Sequence, residues 1–272
     1  MLGKLIKYEF KGSGRVLLPL YGLVLVLAII TKIFNGMSIY KFGSLGSITM
    51  GIVAFAYGLT IMAIMLTTVF LIIQRFSKTV YGDEGYLTHT LPVKSRDIII
   101  SKTISAICWT CLSGIIAMIS VIIVGYQQNM FADLFKAIDM LRNEIGADNM
   151  RQMITVMTNF SVVSIMGTIA LIMMIYMCIS IGQLFKRKFV GSIISFLGVS
   201  FIINLFTGIM ANIMGESGFF DFIASMENVA TPEAAVSLIN RFILLLAIFY
   251  VIKIVVFYFI TNHLMTKKLN LE

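Results

Sequence analysis

Six long apolar runs, separated by segments that hold most of the charge, constrain this chain more than any other feature. They span approximately Val16–Phe34, Ile48–Ile73, Thr103–Tyr126, Thr155–Phe185, Val190–Met214 and Phe242–Thr261. A helix needs about 20 mostly apolar residues to cross roughly 30 Å of hydrocarbon, and each run supplies that length. Of the 272 residues only 12% are charged, and the mean hydropathy is +0.97. Soluble domains carry about 25% charge, so lipid must solvate much of this surface. The expected fold class is all-α integral membrane protein, with six transmembrane helices in a single domain, 1–272. The fourth run is long for one crossing and is expected to tilt or project from the bilayer. The N-terminus does not read as a cleaved signal peptide. Its charged stretch extends to Arg15, and the apolar run that follows is too long and lacks a small-residue cleavage site.

The lysines and arginines set the orientation. With both termini in the cytoplasm, fourteen basic residues fall on the inner side: Lys4, Lys7, Lys11 and Arg15; Arg75, Lys78, Lys94, Arg96 and Lys102; Lys186, Arg187 and Lys188; Lys267 and Lys268. Six fall outside, and Lys253 sits within the last run. Eight of the thirteen acids lie on the outer side. The formal charge of +8 therefore marks an inner membrane face, and nucleic acid is not an expected partner.

The connecting segments have patterns of their own. In 1–14, Leu2, Leu5, Ile6 and Phe10 share one side and Lys4, Lys7 and Lys11 another, as in a helix lying in the membrane interface. Gly12 and Gly14 permit a bend into the first span. In the outer segment 128–154, Met130, Leu134, Ile138, Leu141 and Ile145 follow helical spacing between Asn129 and Gly146, a plausible cap and stop. The second outer segment, 215–241, holds Phe219, Phe220 and Phe222, too apolar for free solvent. Its Thr231-Pro232-Glu233 reads as the start of the last helix.

The inner segment 75–102 reads RFSKTVYGDEGYLTHTLPVKSRDIIISK. Gly82 and Gly85 bracket two acids, Pro92 breaks the chain, and Ser95 can cap a helix leading into the third span. A short helix held between turns would suit docking to a soluble partner. GDEGYLTHTLPVKSRDIIISK, following the basic RFSKT run, resembles the loop between the second and third spans of bacterial type-2 ABC exporter permeases. LIKYEFKGSGR resembles the interfacial connecting helix of that family, which implies Glu9 and Arg15 at the elbow between that helix and the first span, and the six-span layout matches it. The resemblance implies a cytoplasmic coupling helix, with Asp83, Glu84, Gly85, Tyr86 and Leu87 at the contact with an ATPase subunit. It also implies a second permease subunit, identical or not, and a bacterial cytoplasmic membrane. ATP and magnesium would be bound by the ATPase subunit, with no cofactor in this chain.

The residues themselves narrow the chemistry further. No GxxxxGK[ST] phosphate loop and no HExxH are present, and no acid lies in the core of a span. An enzyme is not expected, and a carrier coupled to protons or sodium ordinarily needs an ionisable group at depth. Lys253 is the exception, and snorkelling or a structural pairing is the preferred reading over a substrate contact. Asn204 and Asn212, eight residues apart, either line a polar path or hydrogen-bond between helices; the second is preferred. Cys108 and Cys111 spell CxxC, but no His, Asp or Glu stands within ten residues of them, so two small residues in a span is the reading adopted. The function expected is an exporter permease for an amphipathic or apolar substrate such as an antimicrobial peptide, lipid or drug. The alternative is a membrane sensor or scaffold that docks a cytoplasmic partner through 75–102.

Overall fold

A computed structural model of the protein describes residues 2–36, 43–82, 85, 94–127, 129–215 and 232–267. Among these, no strand occurs, and seven long helices account for nearly all of the chain: α1 Leu2–Gly36, α2 Gly43–Val80, α3 Ser95–Gly125, α4 Met130–Ile145, α5 Ala147–Gly182, α6 Lys188–Gly215 and α7 Pro232–Lys267. All but α4 are long and apolar enough to cross a bilayer, and the chain is a multi-pass helical membrane protein. The six spans coincide with the six apolar runs. Serine and threonine are common within them because their hydroxyls donate to the carbonyl one turn back, as Thr60, Thr68, Thr103, Ser164 and Thr261 do at 2.7–2.9 Å. Such back-bonding satisfies the hydroxyl where no water is available.

Several boundaries differ from expectation. The helix α1 is unbroken through Gly12 and Gly14, so 1–14 is the first part of one 35-residue helix rather than a separate one. Its sides divide as the sequence predicts, with Lys4, Lys7 and Lys11 exposed and Leu2, Leu5, Ile6 and Phe10 half-buried. The helix α2 continues to Val80 and α3 begins at Ser95, which shortens the expected loop 75–102 to residues 81–94. Ser95 is the first helical residue, and Lys94 occupies the cap position without a side-chain bond. The segment expected on the outer side is helical over 130–145 and from 147 onwards. Asn129 (φ 74°) and Gly146 (φ 85°) adopt the left-handed backbone that turns the chain at either end of α4, a conformation that favours Asn and Gly. Pro232 opens α7 as expected; Thr231, and most of 215–241, lie outside the described residues.

The helices cluster into two compact units, Met1–Met130 and Phe131–Asn270. In the first, α1, α2 and α3 pack against one another around Leu17, Tyr21, Val24, Ile64, Leu71 and Trp109. In the second, α5 packs against both α6 and α7, and its residues Ile172 to Ser180 are buried in an unbroken run. A Cβ on Gly182 would lie 2.6 Å from the Ser192 backbone nitrogen, so glycine is what lets α5 and α6 meet at their connecting turn. The Asn159 side-chain amide donates to the Asn240 side-chain oxygen at 3.1 Å, joining α5 to α7. Apolar residues such as Phe189, Leu197, Phe201 and Ile202 of α6 remain exposed, as lipid-facing positions do. Gly51, Gly58 and Gly198, small residues suited to close helix packing, meet nothing within 4 Å, whereas Gly191 abuts the Phe185 ring.

Candidate functional site

The first 82 residues contain one carboxylate, Glu9, among four basic residues of the N-terminal segment. Glu9 stands on the first half of α1, and its partners come from the two other helices of the unit. Glu9 Oε1 accepts a hydrogen bond from Lys102 Nζ at 2.7 Å, and Glu9 Oε2 lies 3.5 Å from Arg75 Nη1. Lys102 also donates to Thr79 Oγ1, and the Thr79 hydroxyl donates to the Arg75 carbonyl at 2.5 Å. The Lys102 side chain is 5% exposed and that of Glu9 15%, against 29% for Arg75. The carboxylate is therefore shared between a buried cation and a half-exposed one. Gly12 makes room for this: a Cβ there would overlap the Arg75 guanidinium. The glycine thus serves a close approach, not the bend expected from the sequence.

Towards the middle of the unit the packing is aromatic, then polar. The Phe10 and Trp109 ring centroids are 5.7 Å apart, and those of Tyr21 and Trp109 6.3 Å. The Tyr21 hydroxyl is 2.8 Å from Ser113 Oγ, which is 2.8 Å from Thr68 Oγ1, so one hydroxyl chain again joins α1, α3 and α2. The Tyr57 hydroxyl is 2.9 Å from Ser120 Oγ and ties α2 to α3. Interhelical hydrogen bonds of this kind contribute about 0.6–2 kcal/mol each in membranes. Among the described residues Trp109 Nε1 finds no acceptor.

Both arms of the 81–94 segment are anchored beside the ion cluster. On the α2 side Phe76, Val80 and Tyr81 are buried, and the backbone N–H groups of Tyr81 and Gly82 both donate to the Ser77 carbonyl at 3.0 Å. On the α3 side Ile98 and Ile99 are buried. Gly85 is buried, and its N–H donates to the Gly82 carbonyl at 2.7 Å. Of the residues expected at an ATPase contact, only Gly85 falls among those described; Asp83, Glu84, Tyr86 and Leu87 lie outside them. Arg15 is exposed and takes no part in the cluster formed by Glu9. The cluster was legible in half: Glu9 is conspicuous as a lone acid, but nothing local in the sequence selects Lys102, Arg75 and Thr79 from among the other polar residues of 75–102.

The residues proposed for a polar path belong to the second unit, and Asn204 and Lys253 line separate grooves. Asn204 is exposed on α6 in a shallow groove with Phe201, Leu205, Gly208 and Ile209. Asn212 lies on α6, its side chain outside the described part of the structure. Lys253 lies on α7 and lines a separate groove against α5. Cys108 and Cys111 are free thiols exposed on α3, while Cys178 is buried in α5. Comparison of the chain with protein families, with curated proteins and with solved structures finds no match to any of them.

Proposed function

We propose that this chain is the membrane-spanning permease subunit of an ATP-driven exporter, coupled to a separate ATPase through the segment between α2 and α3. The observation that carries the reading is the Glu9–Lys102–Arg75–Thr79 cluster. It joins α1, α2 and α3 close to where α2 and α3 leave for residues 81–94. A push on that segment would be delivered to three helices together, because the Glu9 carboxylate of α1 is held at once by Arg75 of α2 and Lys102 of α3. The absence of acids from the span cores supports the same reading, since energy must then come from outside the membrane rather than from an ion gradient. Glu84, with its neighbours Asp83, Gly85, Tyr86 and Leu87, forms the docking surface in this reading, by resemblance to the exporter family. A second permease subunit completes the path, and the bacterial cytoplasmic membrane is the setting.

A sensor or scaffold would use the same inner segment to hold a kinase or regulator. Purifying the solubilised chain from its native host and identifying what accompanies it separates the two. A companion subunit with phosphate-loop motifs and ATPase activity supports the exporter. A kinase or regulator alone, with no ATPase, overturns it in favour of the sensor.

A further inference from the structure

In the second unit, α5 and α7 enclose an open groove of about 480 Å³, within the range of roughly 300–1,000 Å³ usual for ligand sites. One end is polar: Ser164 and Thr168 of α5 face Tyr250 and Lys253 of α7. The other is apolar, formed by Leu171 and Met174 one and two turns further along the same face of α5. Gly167 keeps the polar end open, because a Cβ there would stand 3.2 Å from Tyr250 Cζ.

Lys253 does not extend towards either end of α7. It stands 11 residues after Phe242 and 8 before Thr261, the ends of the last apolar run, or about 17 and 12 Å at ~1.5 Å per residue. Its ammonium folds back one turn instead, 5.0 Å from the Phe249 ring centroid and 5.6 Å from that of Tyr250. Two aromatic faces stabilise a cation, but less than an uncompensated charge costs within a bilayer. Neither α5 nor α7 offers a counter-ion near Lys253 along its sequence. Neither 149–215 nor 234–271 contains an acid, and the nearest in sequence, Glu233 and Glu272, are about a helix-half or more away. Among the described residues no carboxylate pairs with Lys253.

We propose that this groove is the cargo site, and that the cargo is an anionic amphiphile: its carboxylate or phosphate on Lys253, its apolar chain along Leu171 and Met174. The division of the groove into a cationic end and a greasy end selects that class over a neutral drug or a cationic peptide. That the occupant is cargo rests on the exporter reading; that it binds rests on the groove alone.

The test uses the full chain in phosphatidylcholine nanodiscs without any ATPase, with radiolabelled dodecyl phosphate as the anionic probe and dodecyltrimethylammonium as the cationic one. Dodecyl phosphate is expected to bind saturably. Lys253→Gln weakens it at least tenfold, Lys253→Arg retains it, and the cationic probe shows no saturable binding. Leu171→Trp, at a position 47% exposed and so tolerant of bulk, fills the apolar end and also weakens binding at least tenfold. Equal binding of both probes, or wild-type affinity in Lys253→Gln and Leu171→Trp, overturns the site. A phospholipid that co-purifies on Lys253 and is not displaced by the probe overturns the cargo assignment. Because no ATPase is present, loss of binding here leaves the exporter reading standing. Failure to find an ATPase partner leaves the binding result standing.

Discussion

Replacing Glu9 by Gln keeps the shape and an accepting oxygen but removes the negative charge 2.7 Å from the Lys102 ammonium. The two contacts of Glu9 are unequal. The Lys102 ammonium is 2.7 Å away on a side chain 5% exposed, whereas Arg75 is 3.5 Å away and 29% exposed. A half-exposed pair contributes about 0–1 kcal/mol, while removing the carboxylate partner of a buried charge costs about 3–5 kcal/mol. Since Glu9 keeps some access to solvent, the lower figure applies, and Glu9→Gln should destabilise the first unit by about 3 kcal/mol. At about 2–4 °C per kcal/mol for a chain of this size, the unfolding midpoint falls by about 6–12 °C. The assay is built in: Trp109, the sole tryptophan, packs on Phe10, the residue after Glu9, so its emission reports on this unit. Removing both charges, in Glu9→Gln/Lys102→Met, should recover most of the loss, with a coupling energy of about 2 kcal/mol. Arg75→Met should move the midpoint by no more than about 4 °C. Additive single-mutant losses in the double mutant, or an Arg75→Met loss equal to that of Lys102→Met, would refute the reasoning.

The glycines give an opposed pair of expectations in thermal unfolding. Gly12→Ala should be near neutral, because the flexible Arg75 tip can withdraw and the helix gains about 1 kcal/mol in propensity; Gly182→Ala should lower the midpoint by several degrees, because the Ser192 backbone cannot withdraw. Tyr21→Phe removes the hydroxyl bonded to Ser113 and should cost about 0.6–2 kcal/mol, clearly less than Glu9→Gln by the same Trp109 readout. With a membrane-soluble maleimide and the detergent-solubilised chain, Cys108 and Cys111 should be modified and Cys178 spared until unfolding; peptide mass spectrometry distinguishes the three.

Hydrophobic length made the six spans readable, because a run of about 20 apolar residues has few other uses. The ends of the helices were not readable from the same signal. The last turn of α2 and the first two turns of α3 are polar on the outside yet bury Phe76, Val80, Ile98 and Ile99, so a hydropathy threshold stops short of them. Asn129 and Gly146 were legible as the limits of α4 because a left-handed backbone calls for those residue types. Gly12 and Gly14 were misleading for the complementary reason. Glycine marks close approach as well as flexibility, and only the neighbouring helices, Arg75 at one and the Trp109 ring 3.3 Å from a Cβ at the other, decide between them. Lys253 was visible as an intramembrane charge, but the groove beside it depends on α5, some eighty residues earlier, and no local pattern pairs the two.

The coupling claim is tested most directly by reconstituting the chain in nanodiscs with the ATPase subunit that co-purifies with it and measuring ATP hydrolysis for wild type and Glu84→Lys. The account predicts that the wild-type chain binds the ATPase and stimulates hydrolysis, and that Glu84→Lys, with Trp109 emission unchanged, loses the subunit or its stimulation. A Glu84→Lys chain that binds and stimulates as wild type does would contradict it, and would take the drive away from the segment between α2 and α3.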